Sequence, residues 1–410
     1  MNKQELEFFK QFKDPIQCKN QIHNYALRKH IEMGQRSSLF MSPGSGKTRI
    51  GIIAACEVIK KYGGRALISV PKENLIKQWN DEAIKWKYSK EWKFVDIICH
   101  ASNDKYDPSN YEIVIIDEVH LAVKGEHHGS LLNHHYNNTR LLCLTGTKPK
   151  DKESLEKLHK VAPESFELTL NEAVELKLVS EYTINVIDIP FSGDELMKYK
   201  KAQQGFVYYT NLLGKFDAFE KAKTILDGPN SSSMDKRNAT MLFTAIRNRK
   251  SIAQNAKQKL TVAKQLVDLF PEHYTITFSE TNNFTTQLHK LCGERAVMFH
   301  SKMKENEKTD ALKLFADRRT KKNIINSTKA LSEGYNVPVI NMGIVTAFTS
   351  KANTIIQRIT RACRYIEGKR AILFILVVPN TQEEQWLKNA LKDVSNVRYF
   401  DSFETYKSLL

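Results

Sequence analysis

The stretch Leu39-Phe40-Met41-Ser42-Pro43-Gly44-Ser45-Gly46-Lys47-Thr48 decides the fold. The run Ser38–Met41 has the near-continuous apolar character of a strand buried on both faces. A glycine-rich turn follows, and Thr48–Tyr62 then reads as a helix. Strand, glycine-rich loop and helix is the setting of a phosphate-binding loop. Glycines let backbone N–H groups turn inward around an anion, and the helix start adds the positive end of its dipole. In that reading Gly44, Ser45 and Gly46 line the phosphates of a nucleotide, Lys47 neutralises β- and γ-phosphate charge, and the Thr48 hydroxyl coordinates Mg²⁺. The general pattern asks for a further glycine five residues before Gly46, where this chain has Met41.

Working outward, apolar runs at Ala66–Val70, Val95–Cys99, Ile113–Ile116 and Leu141–Leu144 are separated by helix-like stretches such as Glu73–Trp86. The alternation predicts a parallel sheet covered by helices. Directly after Ile113–Ile116 comes Asp117-Glu118-Val119-His120. Two acids at the end of a buried strand are costly unless they bind something. Asp117 suits Mg²⁺, and Glu118 suits a general base acting on the attacking water. The same rhythm returns at Tyr274–Phe278, Ala296–Phe299, Ile324–Asn326, Met342–Val345 and Ala371–Val377. The expected fold is therefore α/β: two parallel-sheet domains, 1–190 and 265–410, with a mostly helical basic insertion, 191–264, between them.

The 410 residues carry a net charge of +16, which favours a polyanionic partner. Between Lys236 and Lys264 there are eight basic residues and no acidic one, so Arg247, Arg249, Lys250, Lys257 and Lys259 are expected to contact nucleic-acid phosphates. The six cysteines form no close pair, which argues against a zinc ribbon or a disulfide framework. The polar N-terminus lacks a signal-peptide core and no run of 18 apolar residues exists, so the expectation is a cytoplasmic protein with no membrane partner.

GSGKT at 44–48 followed by DEVH at 117–120 resembles the superfamily 2 helicases of the DEAD/DEAH-like group, which are built on two RecA-like domains. The family's other motifs follow in order. Pro71–Trp79 resembles motif Ia, which implies nucleic-acid contacts for Pro71, Lys72, Gln78 and Trp79. Thr145-Gly146-Thr147 resembles motif III, and Tyr274–Thr281 resembles motif IV. Ser327–Pro338 resembles motif V, which implies a nucleic-acid contact for Thr328 and nucleotide contacts for Gly334 and Asn336. Gln357–Arg364 resembles motif VI, with Arg364 the first choice and Arg361 the second for the arginine that stabilises transition-state charge. The resemblance also implies coupling roles for His120, Thr145, Thr147 and Gln357, and it makes Gln21, 26 residues before Lys47, the adenine reader.

Many relatives carry Asp where this chain has Asn336, and the Gly-x-Asn form resembles the remodelling-type translocases. The resemblance therefore implies a DNA helicase or translocase on duplex or branched DNA, closest to phage-type enzymes, with ATP and Mg²⁺ as cofactors. An RNA helicase, a motor subunit of a restriction-type complex served by a protein partner, and a catalytically silent nucleic-acid-binding scaffold are the alternatives.

Overall fold

The computed structural model describes residues 1–133, 139–149, 151–229, 231–300, 302–328, 340–349, 370–392 and 394–410. They form two compact units, one built on the described residues of 1–181 and the other on those of 182–328, 340–349 and 371–410.

The first unit holds β1 (Arg36–Met41), β2 (Ala66–Val70), β3 (Val95–Cys99), β4 (Ile113–Asp117), β5 (Arg140–Thr145) and β6 (Glu164–Leu168). Their order across the sheet is β3-β2-β4-β5-β1-β6, and every neighbouring pair is parallel. Ile113, Val114, Ile115 and Ile116 of β4 are all fully buried. Burying one such side chain stabilises by about 1.5–3 kcal/mol, which explains why the central strands read as unbroken apolar runs. β4, β5 and β1 are adjacent, and their carboxyl ends lead into the acid pair, Thr145–Thr147 and the glycine-rich loop. In open parallel sheets ligands bind at that edge.

The second unit holds β7 (Glu181–Asp188), β8 (Thr275–Phe278), β9 (Ala296–Phe299), β10 (Ile324–Ser327), β11 (Met342–Val345), β12 (Arg370–Val377) and β13 (Val397–Phe400). The sheet order is β13-β7-β12-β11-β8-β10-β9. The registers of β13 with β7, β12 with β11, β11 with β8, β8 with β10 and β10 with β9 are parallel. β7 places the division at Glu181–Tyr182, earlier than the expected 190. Its residues pair with β13, and Ile187 joins the second core.

Four α-helices follow β7 among the described residues: Gly193–Leu212, Ala218–Asp227, Ser233–Gln254 and Lys257–Leu269. Leu213, Ala218, Ala222, Ala239 and Leu242 give the first three helices a core of their own. The fourth helix packs Val262, Ala263, Leu266 and Val267 into the core of the second sheet. Its Lys259 corrects the expectation of a phosphate contact. The side chain is fully buried and its ammonium lies 2.7 Å from the equally buried Glu383 carboxylate.

Candidate nucleotide-binding site

The loop after β1 is held from below. Ser45 Oγ donates to the Ser42 carbonyl at 2.7 Å, and Lys47 Nζ donates to the Met41 carbonyl at 3.1 Å. Gly44 and Gly46 have φ of +89° and +101°, which a side chain disfavours. At Gly46 a Cβ would also lie 2.7 Å from His23 Cε1, so the close approach of His23 excludes any larger residue. Gly46 caps the helix Lys47–Tyr62 without a side-chain hydrogen bond, which leaves the first backbone N–H groups to an anion.

The helix Pro15–Glu32 buttresses this loop. His23 Nε2 lies 2.8 Å from the Ser45 carbonyl, Lys19 Nζ donates to the Gly44 carbonyl, and Asn20 Oδ1 accepts from Arg49 at 2.6 Å. Burial, outweighing that hydrogen bond, pulls the His23 pKa down to about 3, so its ring is neutral and Nε2 carries the donated proton. None of these contacts was expected from the sequence. Gln21 is half-buried on the same helix, two residues from both Lys19 and His23 and therefore on another face.

The acid pair stands at the end of β4. Asp117 is buried, and that burial, then the neighbouring Glu118 carboxylate, pushes its pKa well above the usual carboxylate range. Its Oδ1 accepts from the Glu118 N–H at 3.0 Å and its Oδ2 from the Trp79 indole N–H at 3.2 Å. Glu118 has a left-handed backbone, φ +47°, a strain of about 1–3 kcal/mol for a non-glycine residue. For Glu118 burial acts upward, but Lys47, His120 and hydrogen bonds from Gly146 and Thr145 outweigh it and hold the carboxyl below its ordinary value. Thr145 Oγ1 donates to Glu118 Oε2 at 3.2 Å, and His120 Nδ1 lies 2.7 Å from Thr145 Oγ1. The Thr145 hydroxyl also reaches the Thr147 carbonyl at 3.1 Å, so its one proton is shared between these two acceptors and His120 is the donor to Thr145. The Thr147 N–H closes the turn on Thr145 Oγ1 at 3.1 Å. Strands β4 and β5 thus bring together four residues expected from sequence: Glu118, His120, Thr145 and Thr147.

The donor set fits Mg²⁺ in one form only. Among the described residues no group of three or more His, Cys, Asp and Glu could hold a metal. One hydroxyl, Thr48, and one buried carboxylate, Asp117, suit an ion that keeps most of its waters and completes its shell on phosphate.

Pro71, Lys72 and Gln78 are partly or fully exposed, as a nucleic-acid contact requires. Trp79 corrects the expectation for motif Ia. It is fully buried on the inner face of the helix Glu73–Lys85 and cannot touch a strand. Thr328 is likewise buried after β10, so its side chain does not face a strand here. Arg247 and Lys257 are exposed, while Arg249 and Lys250 are half-buried, with the Arg249 guanidinium 4.1 Å from the centre of the Phe206 ring.

Residues 258–366 match the helicase conserved C-terminal domain. Across both units the fold is similar to the Pyrococcus furiosus Hef helicase domain, with a TM-score of 0.52 at 15% identity over 89% of this chain and 97% of that one. It is also similar to S. cerevisiae Dbp5 bound to RNA and ADP BeF3, with a TM-score of 0.57 at 13% identity over 94% and 95%. Each of the two units has the parallel-sheet α/β fold of a RecA-like domain. The Type ISP restriction-modification enzyme LlaBIII bound to DNA shares it too, with a TM-score of 0.60 at 14% identity over 94% of this chain and 31% of that one. The ATP-dependent rRNA helicase RRP3 of Coccidioides immitis (strain RS) is 24% identical over 206 residues, 49% of this chain and 42% of that protein. The match therefore spans less than half of that relative's length. Of the residues assigned from the superfamily 2 motifs, Gly334, Asn336, Gln357, Arg361 and Arg364 lie outside the described residues.

Proposed function

We propose that the chain is an ATP-hydrolysing motor that moves on or remodels nucleic acid, with duplex or branched DNA as the favoured substrate. The observation that carries the reading is the pairing of an open phosphate loop with an ionised Glu118 oriented by Thr145, Gly146 and His120. A base must be charged, aimed and supplied with a water, and the first two conditions are built into these strands. Lys47 lies close enough to both acids to stabilise their charge and can neutralise a phosphate presented to the loop. Mg²⁺, when bound with ATP, supplies further neutralisation of the phosphates. Arg361 and Arg364 keep the role that the resemblance implies.

The chain's DEVH tetrad and Gly-x-Asn sequence at 334–336 favour DNA. The match to a protein named as an rRNA helicase favours the second reading, an RNA helicase. The deciding experiment is the ATPase rate with single-stranded DNA, duplex DNA, a branched junction and RNA. The proposal expects the largest stimulation on the branched DNA. Stimulation by RNA alone selects the second reading.

A further inference from the structure

One buried indole joins three elements of the first unit. Trp79 projects from the helix Glu73–Lys85, is fully buried, and donates its N–H to Asp117 at the end of β4. Its six-membered ring lies against the helix that starts at the phosphate loop, over Gly51. A Cβ at position 51 would stand 2.5 Å from Trp79 Cη2 and 2.9 Å from Cζ3. Gly51 has no left-handed backbone that would itself call for glycine. The position is kept small by the ring that crosses it.

We propose that Trp79 is a positioning residue for the metal-binding carboxylate Asp117. Asp117 has few fixed partners: the Glu118 N–H holds Oδ1, and the indole N–H holds Oδ2. A carboxylate anchored at one oxygen can still rotate about its Cβ–Cγ bond, and anchored at both it presents a fixed set of lone pairs to the ion. Partners that orient a metal ligand are worth about 10–100-fold in metal affinity. The indole donor also offsets part of the burial that makes the charged form of Asp117 costly. The inference rests on the nucleotide reading given above and adds a residue that no motif role assigns to the metal.

The test is calorimetric titration of ADP, with and without Mg²⁺, on the full chain. Trp79→Phe keeps an aromatic ring and removes the donor. It is expected to weaken Mg²⁺ affinity at saturating ADP by about tenfold and to leave metal-free ADP binding unchanged. In an Asp117→Asn background, Trp79→Phe is expected to cost nothing more. Should Trp79→Phe fail to fold, Gly51→Ala, which retains the indole but displaces it, is expected to give the same metal-selective loss. Equal losses with and without Mg²⁺, or additive losses in the double variant, would mean ordinary packing and overturn the inference. Mg·ADP binding in the wild type that is unchanged in Trp79→Phe overturns it alone. A wild-type chain that binds no ADP removes the nucleotide reading as well.

Discussion

Gly51→Ala is the smallest perturbation that tests whether the core behind the site is as tight as it looks. In an ordinary helix interior the substitution stabilises, because alanine is favoured over glycine by about 1 kcal/mol. Here the new methyl meets Trp79 Cη2 at 2.5 Å, Trp79 Cζ3 at 2.9 Å and Leu144 Cδ1 at 3.1 Å. Carbon atoms at rest sit about 3.5–4.0 Å apart, so the indole must retreat by about 1 Å. Overpacking of this kind costs about 1–3 kcal/mol. Set against the helix gain, the expected net change is a destabilisation of about 0–2 kcal/mol. The assay is urea unfolding of wild type, Gly51→Ala, Trp79→Phe and the double variant. Phenylalanine does not reach as far as the outer indole ring, so the alanine methyl fills part of the vacated space. The double variant should therefore be more stable than the two single changes predict together. A Gly51→Ala protein about 1 kcal/mol more stable than wild type, with additive behaviour in the double variant, would refute the steric argument.

Other outcomes follow from burial and charge. Burial lowers the pKa of His30 to about 4, and burial with the neighbouring His128 lowers that of His100 to about 4. Unfolded histidine titrates near 6.5, so as pH falls below that value the unfolded chain takes up protons first. Stability is full above about pH 6.5 and drops toward pH 4 by up to about 1.4 kcal/mol per pH unit for each histidine. His30→Gln should make that slope shallower, and an unchanged slope in pH-dependent unfolding contradicts the assignment. Lys259→Met leaves Glu383 buried without its partner and should cost about 3–5 kcal/mol, measured by denaturant unfolding and largely recovered by adding Glu383→Leu. A loss below 1 kcal/mol would mean that water reaches the pair. Replacing Arg247, Arg249, Lys250 and Lys257 with glutamine should reduce the salt dependence of DNA binding, by about 0.9 in the log–log slope for each phosphate contact removed. An identical slope removes these helices from the interface.

The first sheet was legible because its central strands are local and unambiguous. β2, β4 and β5 carry near-continuous apolar runs, and β4 and β5 end at Asp117 and Thr145, residues with chemistry to do. β6 was missed because an edge strand can alternate, and Glu164, Ser165 and Glu167 break the apolar signal. β7 and β13 are paired from opposite ends of the second unit, so no local pattern announces that 181–188 belongs there. That pairing also moved the boundary. Trp79 was misread because a motif names residues without saying which way a helix turns. Ile76, Trp79 and Ala83 recur with helical spacing, and that stripe was the available sign of an inward face. Lys259 sits on the same stripe as Val262, Ala263 and Leu266, so counting it with the exposed basic residues ignored its periodicity. The contacts of Lys19 and His23 with the phosphate loop depend on packing between elements, which no motif carries.

The most direct measurement of the central claim is ATP hydrolysis by Glu118→Gln beside wild type, with Mg·ATP binding measured on the same samples. The substitution keeps the shape of the side chain and removes the charge that Thr145 and Gly146 hold in place. If Glu118 is the general base, the variant binds Mg·ATP as wild type does and hydrolyses it about 10²–10⁴-fold more slowly. Hydrolysis at the wild-type rate in the variant, or none in wild type on any nucleic acid, would contradict the account.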